Sequence, residues 1–99
     1  MSIALIPNAC AVYASAAGNI LNHSGFPVRL LSITAEDSAG NVEGHCVLFW
    51  RVDRIVRAYD PEGTITLPER LSLRSSPMEL ARAWAKKTGW KKVIGARVW

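Results

Sequence analysis

The chain has 99 residues, of which 49% are hydrophobic and 20% charged, a composition that suits one globular domain over residues 1–99 and excludes a disordered protein. Its apolar runs are shorter than the roughly 20 residues that a membrane-spanning helix needs, and its first ten residues lack the basic segment of a secretory signal. We therefore expect a cytoplasmic protein whose two cysteines are thiols rather than a disulfide.

The first predicted element is a helix over residues 9–23. Pro7 ends a short apolar lead, and Asn8 is placed to cap the amino-terminal end of the helix. The helix is apolar on most of its circumference, which is typical of a helix in the middle of a domain. Gly25 suits the left-handed residue that often follows a helix. A first strand is expected over residues 28–34.

A β-hairpin is predicted next, because β-branched and aromatic residues dominate two runs, residues 46–50 and 55–59. A two-residue loop at Val52 and Asp53 and a four-residue loop over Arg51 to Arg54 give the same register, and we expect the longer loop because Val52 disfavours the positive φ of a tight turn. This register places His45 directly opposite Asp60, with their Cβ atoms about 5 Å apart. The carboxylate could then hold the imidazole by its ring N–H.

After a short strand over residues 64–67, a second helix has the clearest boundaries. Ser76 as N-cap, Pro77 at the first helical position and Glu79 three residues after the cap predict its start, and Gly89 predicts its end. Its expected buried stripe consists of Met78, Ala81, Trp84 and Ala85. With a last strand over residues 93–99, the order of elements predicts an α+β domain, with a central amino-terminal helix packed on an antiparallel sheet and a second helix near the carboxyl end.

Three residues could carry chemistry. Cys10 falls in the first turn of the central helix, where unpaired N–H groups and the helix dipole favour a thiolate. His45 is a candidate base for that thiol, and Asp60 a candidate to fix the imidazole tautomer. The N–H of Cys10 would donate to an oxyanion, with Asn8 as a second candidate donor. The alternative is a buried helix cysteine beside a core histidine.

Two stretches resemble transglutaminase-like domains of the papain-like cysteine peptidase superfamily. The first has a Cys, then an aromatic-Ala pair, then a Gly-apolar-Pro-apolar-Arg turn into a strand, here Cys10, Tyr13-Ala14 and residues 25–29. The second is a His that starts one strand and an Asp-Pro that ends the next, here His45 and Asp60-Pro61. The resemblance covers residues 8–63.

This resemblance implies a papain-like core and a thiol enzyme that acts on a protein or peptide amide. Cys10 would attack the carbonyl to give a thioester, which water would hydrolyse or an amine would convert to a new amide. No cofactor is expected. Nor is a metal site, because Cys46 follows His45 directly in the predicted strand and points to the opposite face of the sheet.

The net charge of +4 is concentrated near the carboxyl end, where residues 82–97 carry six cations and no acid. A solvated helix face is one explanation, and a contact surface for an acidic partner is the other. The candidate partner-binding residues are Lys86, Lys87, Trp90, Lys91 and Lys92. We favour a protein partner over nucleic acid, and expect no membrane contact. A non-catalytic binding module or inhibitor is therefore the alternative function.

Overall fold

The computed structural model describes the backbone of residues 9–98 and the side chains of residues 15–98. Asn8 and the apolar lead before it lie outside the described residues. The described chain is an α+β domain of two helices and an antiparallel five-stranded sheet, which confirms the predicted class. In chain order the elements are α1 (Ala9–His23), β1 (Val28–Glu36), β2 (Val42–Val52), β3 (Ile55–Asp60), β4 (Gly63–Thr66), α2 (Pro77–Thr88) and β5 (Lys92–Val98).

The strands lie in the order β4-β3-β2-β1-β5. Strands β1 to β4 form a meander in which each strand pairs with the next along the chain. Helix α2 then carries the chain from β4 at one edge to β5 at the other, where β5 pairs with β1. The segment after β4 therefore recrosses the sheet, and this crossing determines which face α2 covers.

One face of the sheet, here called the α2 face, holds most of the core. It carries Leu31, Ile33, Val47, Phe49 and Val56, each with no exposed surface. Helix α2 packs on these residues through four buried side chains, Leu80, Ala81, Trp84 and Ala85. Three of the four belong to the predicted stripe; Leu80 is an addition, and Met78 is only partly buried.

The opposite face, here called the α1 face, carries Leu48 and Trp50 as its buried apolar side chains within the described residues. Around them pack the partly buried residues Ala17, Leu21, Val28, Leu30, Cys46, Val52 and Tyr59. Alternation along β2 assigns neighbouring residues to different faces, so Cys46 points away from His45, as predicted, and lies on the α1 face. Gly18 is buried where α1 meets β2.

The caps of α2 confirm the sequence prediction. The Ser76 hydroxyl accepts from the Glu79 N–H at 3.2 Å, and Glu79 Oε1 accepts from the Ser76 N–H at 3.4 Å. Pro77 occupies the first turn, where its missing N–H has no intrahelical partner to lose. Gly89 ends the helix with φ 87°, a left-handed conformation that costs glycine little.

The predicted hairpin forms, but its expected register is wrong. Val52 pairs with Ile55, so the loop consists of two residues, Asp53 and Arg54. Asp53 supplies the positive φ, 56°, which aspartate tolerates better than a β-branched residue does. In this register Asp60 aligns with Val47 rather than with His45, a displacement of two residues along β2.

Candidate functional site

His45 lies on the α2 face, where its ring is held by two tryptophans. Its ring centroid is 5.3 Å from that of Trp84 and 4.7 Å from that of Trp90, with Trp90 at an edge-on angle of 65°. The His45 Nε2 atom is buried and has no hydrogen-bond partner among the described residues. The surroundings of His45 are therefore aromatic rather than acidic.

Asp60 ends β3 on the same face as His45, but its carboxylate is engaged elsewhere. It is 7% exposed, and its Oδ1 accepts from the Glu62 N–H at 3.0 Å and from the Gly63 N–H at 3.2 Å. These two bonds close the tight turn from β3 into β4. The structure therefore places Asp60 as a turn-forming carboxylate, two residues along the sheet from the position opposite His45.

Cys10 is the second residue of α1, so its backbone falls in the first turn of the helix, as predicted. Its side chain lies outside the described residues. The described part of α1 packs on the α1 face through Ala17 and Leu21, whereas the His45 ring lies on the other side of the sheet. The structure thus describes no contact within the predicted Cys10, His45 and Asp60 triad, which stays a prediction.

Four of the five predicted partner-binding residues, Lys86, Trp90, Lys91 and Lys92, line one cleft. An open cleft of about 390 Å³ lies between the end of α2 and the start of β5, and is here called the basic cleft. Its lining consists of Arg82, Ala85, Lys86, Trp90, Lys91, Lys92 and Val93. Four of these seven residues are cations and none is a carboxylate.

The chain reversal after α2 builds this cleft. Gly89 turns the chain, the Trp90 N–H donates to the carbonyl of Ala85 at 3.0 Å, and the Lys91 N–H donates to the carbonyl of Glu36 at 3.0 Å. These bonds bring residues 90–92 back alongside the last turn of the helix. Cations that are separated along the sequence, such as Arg82 and Lys92, therefore line the same cleft.

Trp90 is the aromatic part of the lining and has a structural role as well. It is partly buried and packs on the core cluster of the α2 face. The Trp90 ring also contacts the His45 ring edge-on, with the two ring centroids 4.7 Å apart, and this contact holds the tryptophan in place from the core side. The tryptophan therefore gives the basic cleft one rigid apolar surface among long, exposed cationic side chains.

Three details of the site differ from the predicted set of partner-binding residues. Arg82, one of the six cations in residues 82–97 but not one of the five candidates, lines the cleft. Lys87 is exposed at the end of α2 but does not contribute to the lining. Glu36 is directly opposite Lys92 in the β1–β5 ladder, so it offsets part of the positive charge at one side of the cleft.

No group of three or more His, Cys, Asp or Glu side chains placed to hold a metal ion occurs within the described residues. Between residues 9 and 98, neither helix is long and apolar enough to cross a membrane. No family model matches the chain, and neither the curated proteins nor the solved structures include a significant match.

Proposed function

We propose that this protein is a binding module that recognises an acidic segment of a partner protein through the basic cleft. The observation that carries this proposal is the convergence of four cations around a cleft whose lining contains no carboxylate. Such a surface attracts negative charge, and electrostatic complementarity at interfaces steers association and selects partners.

The residues that line the cleft favour a protein segment over nucleic acid as the ligand. Binding to single-stranded nucleic acid commonly uses aromatic rings on which bases stack. Trp90 is the one aromatic ring in the lining, and it is partly buried and held edge-on against His45. An acidic side chain needs only the cations, and a neighbouring apolar side chain can pack on the exposed part of Trp90.

Charge reversal tests this proposal. The triple variant Lys86→Glu, Lys91→Glu, Lys92→Glu changes the cleft, and Arg51→Glu, Arg54→Glu, Arg70→Glu makes the same change in net charge at exposed positions elsewhere. The probe is a fluorescent ten-residue glutamate peptide, followed by anisotropy at two salt concentrations. We expect affinity to fall at least about tenfold in the cleft variant, equal to about 1.4 kcal/mol, and much less in the control.

Equal losses in both triple variants would show a general effect of net charge and would contradict the proposal. A single-stranded DNA or RNA oligonucleotide of the same charge serves as the second probe. If it binds more tightly than the glutamate peptide, with a steep dependence on salt, the module binds nucleic acid instead. Circular dichroism of each variant establishes that the fold is intact.

A second candidate function is the thiol enzyme on a papain-like core implied by the resemblance. The observation that favours it is that α1 begins at Ala9 and has no acidic residue in its first turn, so that the helix dipole acts on Cys10 unopposed by a local carboxylate. This mechanism requires the His45 imidazole, which lies on the α2 face, to reach Cys10 at the start of α1 and take its proton. The thiolate then attacks an amide carbonyl, and the imidazolium gives its proton to the leaving amine. Water or an amine then resolves the thioester.

Alkylation by iodoacetamide near neutral pH tests this second candidate. An activated thiol predicts rapid labelling that is lost in Cys10→Ser and slowed in His45→Phe. The matched control is Cys46→Ser, which removes the partly buried cysteine of the α1 face. Labelling of Cys10 at the same rate with and without the His45 imidazole would contradict the enzyme and would leave the binding module untouched.

A further inference from the structure

Strand β5 forms one edge of the sheet and also borders the basic cleft. It pairs with β1 on one side and has no strand on its other side within the described residues. Lys92 and Val93, its first two residues, line the cleft. A ligand that occupies the cleft therefore lies beside a row of main-chain groups that can pair with an added strand.

The two edges of the sheet differ in what they offer. Strand β4, at the opposite edge, has four residues, whereas β5 has seven. Ile94 and Val98 on β5 are 51% and 54% exposed. Lys92 and Arg97 are exposed on the same strand. This edge therefore combines length, apolar surface and positive charge.

A bulge sets Ile94 apart from its neighbours. Thr34 pairs with Gly95 and Ala35 pairs with Val93, so Ile94 has no partner on β1. Bulges of this kind re-aim a side chain at the edge of a sheet. Here the result is an exposed isoleucine between the cationic ends of the strand, where an apolar side chain of an added strand can pack.

We infer that the acidic segment binds in extended form, as a sixth strand on the edge of β5 that has no neighbouring strand among residues 9–98. This inference rests on the proposed binding function and specifies its partner: a peptide whose acidic side chains face Lys92 and Arg97, and whose alternate apolar side chains cover Ile94. Main-chain hydrogen bonds supply affinity in this mode, and the side chains supply selectivity.

A second copy of the chain fits this edge less well than an acidic strand does. Two antiparallel β5 strands centred on Gly95 would bring the Lys92 and Arg97 side chains of both copies onto one ribbon. Like charges near one another across a strand pair are destabilising, and cations on edge strands are a recognised means of preventing self-pairing. An acidic segment would instead place carboxylates beside Lys92 and Arg97, and this interaction is attractive.

The test uses an eight-residue peptide of alternating valine and glutamate, with acetylated and amidated ends. Its matched control is the same peptide N-methylated at every valine, which keeps the charge and the side chains but removes half of the main-chain donors. A third peptide alternates valine and lysine. Affinities are measured by fluorescence anisotropy, and amide hydrogen exchange of the protein is followed by NMR.

We expect the unmodified acidic peptide to bind at least about tenfold more tightly than its N-methylated form, because methylation removes main-chain donors that pair with β5. We also expect slower exchange of amides in residues 92–98 and unchanged exchange in residues 63–66. The double variant Lys92→Glu, Arg97→Glu should weaken binding, and Arg51→Glu, Arg54→Glu should not.

Failure of this inference is distinguishable from failure of the binding function. Equal affinity for the methylated and unmodified peptides, with no protection of β5, would overturn strand addition and leave the acidic-segment proposal standing. Equal binding of the valine–lysine peptide would overturn the charge complementarity on which both depend. If no acidic peptide binds, including the glutamate peptide, both proposals are overturned.

Discussion

The two faces of the sheet differ in how completely their apolar side chains are buried. On the α2 face the large side chains of Trp84, Phe49 and Leu31 are each at most 1% exposed and belong to one continuous hydrophobic cluster. On the α1 face the described cluster centres on Leu48 and Trp50, and most of its other members are only partly buried. Ile20 of α1 is 68% exposed.

The difference shows where the free energy of folding is concentrated. Apolar burial is the main favourable term, and the α2 face contributes most of it within the described residues. The basic cleft lies at the edge of this well-packed face, so core packing on the α2 face holds in place the backbone that carries its cations. Helix α1, of 15 residues, is marginally stable alone and depends on packing against the α1 face.

The largest expected effect tests this contrast directly. Trp84→Ala removes a side chain that is 1% exposed, and we expect a loss of about 3–5 kcal/mol in the free energy of unfolding. Ile20→Ala, on the exposed side of α1, should change it by less than about 0.5 kcal/mol. Urea denaturation measures both.

A cost for Trp84→Ala no larger than that for Ile20→Ala would abolish the distinction between the faces. If Trp84→Ala does not fold, Phe49→Leu provides a milder change in the same cluster. It removes fewer contacts and should still destabilise more than Ile20→Ala.

The next largest effect concerns the attachment of the segment that leads into α2. Arg29 Nη1 donates to the carbonyls of Leu73 and Ser75, both at 2.7 Å, and so ties β1 to this segment. Arg29→Met keeps the apolar stem but leaves both carbonyls without this charged donor. We expect a loss of about 1.5–3 kcal/mol in urea denaturation.

The matched control is Arg57→Met on the other face, where the guanidinium lies 5.7 Å from the centre of the Trp50 ring. An exposed cation–π contact is worth about 0.5–1 kcal/mol. We therefore expect Arg29→Met to lower the free energy of unfolding more than Arg57→Met does. Equal losses would contradict the proposed difference between the two faces.

A smaller effect, of opposite sign, is expected on the α1 face. A Cβ atom at Gly18 would meet Leu48 Cδ1 at 3.4 Å, an ordinary contact distance. Gly18→Ala should therefore stabilise the protein by up to about 1 kcal/mol, because alanine favours the helical conformation. Gly18→Leu, which exceeds the available space, should destabilise it by about 1–3 kcal/mol.

Thermal and urea unfolding of both Gly18 variants measure this effect. If Gly18→Ala is destabilising, the α1 face has no room for a methyl group. The packing there would then be as tight as on the α2 face.

The smallest effect lies in the turn between β1 and β2, outside both faces. Hydrogen bonds from the backbone and side chain of Asn41, and from the backbone of Ala39, lower the pKa of Asp37 below its ordinary value of 3.8. The carboxylate therefore stabilises this turn above pH 3.8. This contribution is lost as the pH falls through the lower pKa of the folded state.

An NMR titration of the Asp37 carboxyl carbon measures that pKa in the folded protein. Asp37→Asn keeps an acceptor oxygen and should remove the local pH dependence of the Asn41 amide shift. A folded pKa above 3.8 would contradict the hydrogen bonding of the turn.

Part of the candidate site was predictable from the sequence. The run of cations and Trp90 stand close together in the chain, so a basic surface near the carboxyl end could be expected. The cleft itself could not, because it requires β5 to return beside α2 and pair with β1. That pairing joins residues about sixty positions apart, and no local pattern encodes it.

The relation of His45 to Asp60 shows a different limit. Both lie on one face, as alternation along the strands predicts. Alternation, however, is unchanged when a register slips by two residues, so the pattern allowed both His45 and Val47 as partners of Asp60. The loop decides between these two registers, because Asp53 accepts a positive φ and so allows a turn of two residues.

The sequence by itself determined the local elements: the ends of α2 through Ser76, Glu79 and Gly89, the extent of α1, and the existence of the hairpin. Each depends on residues within a few positions of one another. Only the tertiary structure decided which helix covers which face, because β2 is apolar on both sides. That decision placed His45 beneath α2, away from the described part of α1, and brought the cations of α2 and β5 around one cleft.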